Sequence, residues 1–168
     1  MICRTDSGLP LQSVIGRLQW DHRGGEVGVH VRKRAHSAVV TATNATETLR
    51  IHLFATDISL SDKGTPSSGF VRPPEADVLH TYTAAEVRDF VGTVGDANPI
   101  HRTACPIVPA YQLFRTLAAR YAAATYDLRL RAPVHAGETV YIVRTAHRVE
   151  GYTDTAHVFT LTLSQERK

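Results

Sequence analysis

Hydrophobic and polar residues alternate over much of the first third of the chain, which is the pattern of strands that bury one face and expose the other. The alternating runs are short, and the turn-forming stretches DHRGG and NATE separate some of them. Consecutive strands joined in this way are typical of an antiparallel meander. The pattern predicts strands over residues 14–20, 26–36, 37–43 and 48–55.

A connector follows this β-rich region. Residues 61–76, SDKGTPSSGFVRPPEA, are rich in Ser, Gly and Pro, which favour turns and exposed loops. We therefore divide the chain into a β-rich half at 1–60, the connector at 61–76, and a second unit at 77–168. A chain of 168 residues is long enough for one compact domain or for two small units that share a core.

The second unit combines helices with strands. Thr83 and Glu86 have the spacing of a capping box, and apolar residues at helical intervals follow them, which predicts a helix that ends between Gly92 and Gly95. A second, Ala-rich helix is predicted from Pro109 through residue 125. The remaining strands are predicted at 78–82, 126–132, 138–149 and 155–163.

The two strand-rich ends of the chain resemble each other. GEVGVHVRKRAH, from Gly25, aligns with GETVYIVRTAH, from Gly137, with one extra residue in the first copy. Two explanations stand side by side: a true internal repeat whose first copy has lost its helix, or the general likeness of any two antiparallel meanders.

The stretch GDANPIHRTACPIVPAY, residues 95–111, concentrates chemically useful residues in a loop, because Gly95 and Pro99 interrupt regular helix. Asp96 and Asn98 could simply form Asx turns while His101 packs. However, the segment runs directly into a predicted helix, whose first N–H groups are free to bind a developing negative charge. An acid, a base and an oxyanion donor would then lie within one loop.

The stretch YTAAEVRDFVGTVGDANPIH resembles the signature of the R-specific enoyl-CoA hydratases and MaoC-like dehydratases, in which D-x-N-P-[LI]-H carries the catalytic Asp and His. HRTACPIVPAYQL resembles, in its spacing, the HFPGxPxxPG segment of the hot-dog 3-hydroxyacyl carrier-protein dehydratases. The resemblance covers about residues 78–165. It implies an α+β hot-dog fold, with a long central helix wrapped by a curved antiparallel sheet; the N-terminal half, which lacks a helix, would complete a double-hot-dog-like sheet.

The resemblance also implies roles for individual residues. Asp96 and His101 would form the acid–base pair, and Asn98 would orient the loop or a water molecule. The backbone N–H groups of Ala110 and Tyr111 would stabilise the enolate oxygen at the start of the helix. Which member of the pair serves C2 of the substrate stays open. The substrate pocket would include Pro109, Phe114 and Arg115.

Two positions depart from the related sequences. Ala110 stands where the family has Gly, so its Cβ would take up space near the thioester. Arg115 stands where the carrier-protein dehydratases have a catalytic Glu, which leaves only the chemistry based on Asp96. Arg115 could meet an anionic substrate or could simply lie on the polar face of its helix.

Composition excludes several other functions. Hydrophobic residues make up 43% of the chain and charged residues 21%, as in ordinary globular proteins. No apolar run approaches the ~18 residues that span a bilayer, and no signal-peptide pattern is present, so we expect a cytoplasmic protein that does not enter membranes. A net charge of +3 does not argue for nucleic acid, but it suits a phosphate-bearing ligand or an acidic carrier protein. No metal or other cofactor is expected, because the histidines lack zinc-ligand spacing.

The sequence thus favours a hydro-lyase that dehydrates 3-hydroxyacyl thioesters or hydrates enoyl thioesters, on coenzyme A or on acyl carrier protein. Two alternatives remain open: a hot-dog thioesterase or natural-product dehydratase or cyclase, and a non-catalytic subunit that binds the acyl chain. A homodimer is one assembly that the sequence permits.

Overall fold

The computed structural model describes residues 13–55 and 70–165. The predicted connector at 61–76 and the first residues of the β-rich half therefore lie partly outside the described residues. The elements within the described ranges are β1 (Ser13–Asp21), β2 (Gly28–Arg34), β3 (Ser37–Thr43), β4 (Thr48–Ala55), β5 (Asp77–Thr81), α1 (Ala84–Val94), α2 (Ala110–Arg120), β6 (Thr125–Leu130), β7 (Thr139–Thr145), β8 (Arg148–Tyr152) and β9 (His157–Ser164).

The described strands form one antiparallel sheet in the order β2-β3-β4-β1-β6-β9-β8-β7-β5. The N-terminal meander joins the rest through the β1–β6 pair, in which Leu18 lies opposite Leu128. Outward from this junction, the strands follow as β1, β4, β3, β2 on one side and as β6, β9, β8, β7 on the other, so β6–β9 repeat the order of β1–β4, and β5 is added beyond β7. The predicted α+β class with one large antiparallel sheet is confirmed.

The hairpins β2–β3 and β7–β8 turn at the same dipeptide. Ala35-His36 forms the first turn and Ala146-His147 the second. The prediction of one strand over 138–149 is wrong, because the chain turns at Ala146 and β8 begins at Arg148. The dipeptide carries no Gly, Pro or Asn, so the usual signal of a tight turn is missing.

Both helices begin as predicted, and the second is shorter than predicted. The capping box of α1 is present: the Thr83 hydroxyl accepts from the Glu86 N–H, and the Glu86 carboxylate accepts from the Thr83 N–H. Helix α2 ends at Arg120 rather than at residue 125. The Tyr126 hydroxyl donates to the Tyr121 carbonyl and accepts from the Ala123 N–H, which holds the chain in an extended path despite its Ala-rich sequence.

Helix α2 packs over the junction between the two halves. Leu18 of β1 and Leu117 of α2 are both fully buried in the core, and the ring of Trp20 stacks on Phe114 with centroids 5.6 Å apart. A strand of the N-terminal meander therefore supports the helix that follows the Asp96–His101 loop. The two halves share one core, as Leu18, Leu128 and Leu161 show by lying side by side on the face toward α2.

Candidate active site

The loop after α1 is shaped by short-range hydrogen bonds. Gly95 adopts the left-handed conformation, with φ of 69°, and ends the helix. The Asp96 carboxylate then accepts from the Asn98 N–H at 2.9 Å, and the Asn98 side-chain oxygen accepts from the Ile100 N–H at 3.3 Å. These Asx turns lead into a short 3-10 helix at Pro99–His101, which fixes the direction of the His101 side chain.

His101 is buried, with 7% of its surface exposed, and one ring nitrogen is fixed by the backbone. Its Nδ1 lies 2.6 Å from the Ile107 carbonyl oxygen. Because a carbonyl can only accept, Nδ1 carries the hydrogen, and Nε2 of the neutral ring holds a lone pair. This Nε2 lies 3.5 Å from Oδ2 of Asp96. The two predicted catalytic side chains therefore meet.

The surroundings favour the neutral imidazole. Burial lowers the pKa of His101 below its usual value and outweighs the Ile107 hydrogen bond and the Asp96 charge, both of which raise the pKa. Arg102 adds a smaller lowering effect, and its guanidinium donates to the Asp96 main-chain carbonyl at 2.9 Å. The Asp96 side chain is 30% exposed, so a polar molecule from solvent can reach the pair.

The segment before α2 is tied to the other side of the loop. The Ile107 N–H bonds to the Ile100 carbonyl, and the Val108 N–H bonds to the Val134 carbonyl at 2.8 Å. Pro109 is buried and precedes the first helical residue, Ala110. The helix start receives no side-chain cap, so the N–H groups of its first turn are the donors available there.

The fold of this chain is similar to that of known proteins. No protein-family model and no curated protein matches the sequence. Among solved structures, HtdX of Mycobacterium tuberculosis is similar with a TM-score of 0.58 and 12% identity, over 93% of this chain and 76% of that one. A MaoC-like dehydratase from Phytophthora capsici is similar with a TM-score of 0.54 and 13% identity, over 95% of this chain and 75% of that one. An acyl-ACP thioesterase from Bacteroides thetaiotaomicron is similar with a TM-score of 0.51 and 9% identity, over 90% of this chain and 75% of that one.

The chain has the hot-dog fold. Its resemblance to the MaoC-like dehydratases is confirmed at the level of the fold. The helix that packs on the sheet over the junction of the two halves is α2. This helix is only 11 residues long, shorter than the long central helix that the resemblance implied. Because one fold supports many activities, similarity at these identities shows the fold alone.

The other predicted site residues occupy different environments within the hot-dog fold. Phe114 is buried in the core, where its ring stacks between Trp20 and Tyr111. Arg115, the next residue, is exposed. Tyr111 is half-buried and also contacts the ring of Phe90 on α1. The aromatic residues thus connect the helix start to the core, while Arg115 faces solvent.

One functional contact was not predicted. The Ile107 carbonyl sets the tautomer of His101, yet a main-chain oxygen leaves no mark on residue type, so no sequence signal pointed to it. Over residues 13–55 and 70–165, no three or more His, Cys, Asp or Glu side chains gather as a metal site. Neither described helix has the length and apolar character that a transmembrane helix needs.

Proposed function

We propose that this protein catalyses the reversible hydration of a 2-enoyl thioester to a 3-hydroxyacyl thioester. One observation carries the proposal: Nε2 of buried His101, left with its lone pair by the Nδ1 hydrogen bond, lies 3.5 Å from the Asp96 carboxylate. Two proton-transfer groups this close, one of them partly exposed, suit a single water molecule or substrate hydroxyl held between them.

Hydration needs one proton removed and one supplied. As a water oxygen bonds to C3, one member of the pair takes the proton that the water loses, and the other member gives a proton to C2. Dehydration runs the same transfers in reverse. Since one group accepts while the other donates, the active pair holds one transferable proton in addition to the hydrogen on Nδ1 of His101.

The thioester oxygen gains negative charge as water adds to C3 in hydration, or as C2 is deprotonated in dehydration, and it then needs hydrogen-bond donors. The backbone N–H groups of Ala110 and Tyr111 at the uncapped start of α2 are the donors proposed for it. Buried Pro109 would form the adjoining pocket wall. The Cβ of Ala110 narrows this approach, so we expect a substrate whose shape differs from that of a simple acyl-CoA.

The remaining predicted residues have supporting parts in this proposal. Asn98 orients the catalytic loop, because it both binds Asp96 and caps the 3-10 helix that carries His101. Phe114 supports the pocket from the core. Exposed Arg115 would meet the anionic carrier of the acyl group, coenzyme A or acyl carrier protein.

We further propose a double-hot-dog architecture in which residues 1–60 are a second half without a central helix. The matching strand order outward from β1 and β6 supports it, as do the two Ala-His hairpin turns at Ala35 and Ala146. A cytoplasmic location, which the sequence led us to expect, and a homodimer, which the sequence permits, remain proposals.

Hydrolysis of the thioester is the second candidate, favoured by the similarity of the fold to that of an acyl-ACP thioesterase. The same pair could direct a water molecule to the thioester carbonyl instead of to C3. A non-catalytic acyl-binding subunit is less well supported, because such a subunit has no need of a buried, oriented His beside a carboxylate.

One assay separates these functions. Crotonyl-CoA is incubated with the protein while the ultraviolet absorbance of the enoyl thioester and the release of free thiol are followed in parallel. Hydration lowers the absorbance without releasing thiol, whereas hydrolysis releases thiol at the rate at which the absorbance falls. A protein that binds crotonyl-CoA and changes neither signal contradicts the enzymatic proposal.

A further inference from the structure

A row of basic side chains crosses the face of the sheet that points away from α2. Residues paired directly across neighbouring antiparallel strands share a face. Arg17 of β1 lies opposite His52 of β4 on one side and opposite Arg129 of β6 on the other. Leu18, the next residue along β1, faces α2, so Arg17 and its neighbours lie on the outer face.

This outer face contains a groove of about 670 Å³. Its lining contains three arginines, one histidine and no acidic residue among the described residues. We call it the outer groove; it is lined by Val14, Gly16, Arg17, His52, Phe54, Arg129, Leu130 and Arg131. Its volume is in the range of pockets that hold small organic ligands.

Asp127, which stands beside the groove, compensates only part of this charge. The Arg17 guanidinium binds the Asp127 carboxylate through two hydrogen bonds, of 2.7 and 2.6 Å. Arg129 reaches the same carboxylate at 3.5 Å, and Arg131 donates to the hydroxyl of Thr160 at 3.1 Å. A second carboxylate, that of Glu150, accepts from the same Thr160 hydroxyl at 2.7 Å, but it is already paired with Arg148 and His157. The three guanidinium groups therefore leave an excess of positive charge at the groove.

Two consequences of this charge are visible. Arg17 and Arg129 are directly opposite each other, and like charges in that position destabilise a sheet. Burial lowers the pKa of His52, and the charges of Arg17 and Arg50 lower it further, while the charge of Asp127 raises it. An anion in the groove would relieve the repulsion between the arginines, and their planar guanidinium groups suit phosphate or carboxylate oxygens.

The rest of the groove is apolar. Val14 and Leu130 contribute aliphatic surface, and Phe54 keeps 45% of its surface exposed. The Phe54 ring lies against the backbone at Gly16, where an added Cβ would come within 2.6 Å of it. Gly16 thus lets the ring lie flat on β1, at the point where the pairing with β4 shifts register. The groove therefore combines a cationic end with a hydrophobic wall.

We propose that the outer groove binds an amphiphilic anion, namely a phosphate or carboxylate headgroup attached to an apolar chain or ring. The arginines hold the headgroup, and Phe54 with its aliphatic neighbours covers the apolar part. All the arginines project from paired strands or their immediate end, so the site is formed before the ligand arrives. It lies on the opposite face of the sheet from α2 and is independent of the function proposed for Asp96 and His101.

The test is calorimetric titration with octyl phosphate and with octanoate, each below its micelle concentration, and with inorganic phosphate. The wild-type protein is expected to bind one equivalent of an octyl ligand, and the tighter of the two identifies the headgroup. Arg129→Gln with Arg131→Gln should weaken binding by about tenfold or more, because charge-assisted hydrogen bonds are lost. Phe54→Ala should weaken binding of the octyl ligands and leave that of inorganic phosphate unchanged.

The matched control is Arg32→Gln with Lys33→Gln, which removes two positive charges from exposed positions on β2, outside the groove. It should bind octyl phosphate within about twofold of wild type, since only the general field changes. Circular dichroism confirms that each variant is folded. Equal weakening in the control and groove variants overturns the proposal, as does the absence of binding by both octyl ligands. Binding of inorganic phosphate as tight as that of octyl phosphate overturns the apolar half of the site.

Discussion

Gly151 and Gly16 allow a paired test of how tightly the core beneath α2 is packed. Each glycine lies on a strand beneath an aromatic ring, and neither has a positive φ. A Cβ on Gly151 would lie 2.0 Å from Cε1 of Phe159, its direct cross-strand neighbour. A Cβ on Gly16 would lie 2.6 Å from Cε2 of Phe54. Alanine at either position must therefore displace a ring.

The two rings differ in their freedom to move. Phe159 is fully buried and belongs to the same core cluster as Phe114 of α2, whereas Phe54 is 45% exposed. Overpacking a core typically costs about 1–3 kcal/mol, and we place Gly151→Ala near the upper end because the clash is deep. Replacing glycine in a strand returns about 0.5–1 kcal/mol through the unfolded chain. Gly151→Ala should therefore lower the free energy of unfolding by about 2 kcal/mol, while Gly16→Ala should change it by less than ~0.5 kcal/mol.

Urea unfolding followed by circular dichroism measures both changes in the free energy of unfolding, provided that the m-value is the same in wild type and variant. A Gly151→Ala protein as stable as wild type would mean that Phe159 can move aside, and it would refute the tight packing inferred beneath α2. An equal loss of unfolding free energy in both variants would instead show that the burial of the ring does not determine how much stability is lost.

Three further predictions concern the site and its support. Since burial lowers the pKa of folded His101, the unfolded chain binds more protons below pH ~6.5. Stability should thus fall with falling pH in that window, by at most about 1.4 kcal/mol per pH unit from this group. His101→Gln should flatten the fall, as urea unfolding at several pH values would reveal; an unchanged slope would contradict the burial effect. A fragment that begins at residue 76 loses β1 and should aggregate or dimerise in gel filtration, because Leu128 and its neighbours lose their cover; a monomeric, active fragment would make the N-terminal half dispensable. Ala110→Gly should raise activity on crotonyl-CoA about tenfold if the Cβ crowds the thioester; strong wild-type activity that it leaves unchanged would contradict this crowding.

Much of the fold could be predicted because alternation and capping are local signals. The bounds of β3 and β4 agree with the predicted strands, and the Thr83 capping box marks the start of α1. The errors occurred where tertiary contacts override local preference. The Tyr126 hydroxyl ends the Ala-rich helix early, and Ala146-His147 turns without a turn-forming residue.

The candidate site likewise contains features that the sequence predicts and features that it does not. Asp96 and His101 were found because they lie close together in sequence, within one loop that resembles a known motif. The Ile107 carbonyl could not be found, because any residue supplies the same oxygen. The outer groove could not be predicted from the sequence either, since Arg17 and Arg129 are brought together only when β1 pairs with β6.

The central claim is that Asp96 and His101 act together on an enoyl thioester. The most direct test measures the rate of crotonyl-CoA hydration by four proteins: wild type, Asp96→Asn, His101→Gln and the double variant. The account predicts loss of enoyl absorbance with wild type and rates about 10² to 10⁴ lower in each single variant, as for removal of a general acid or base. The double variant should be little slower than the worse single variant, because the two groups work as a unit. Wild-type rates in folded Asp96→Asn or His101→Gln protein would contradict the account.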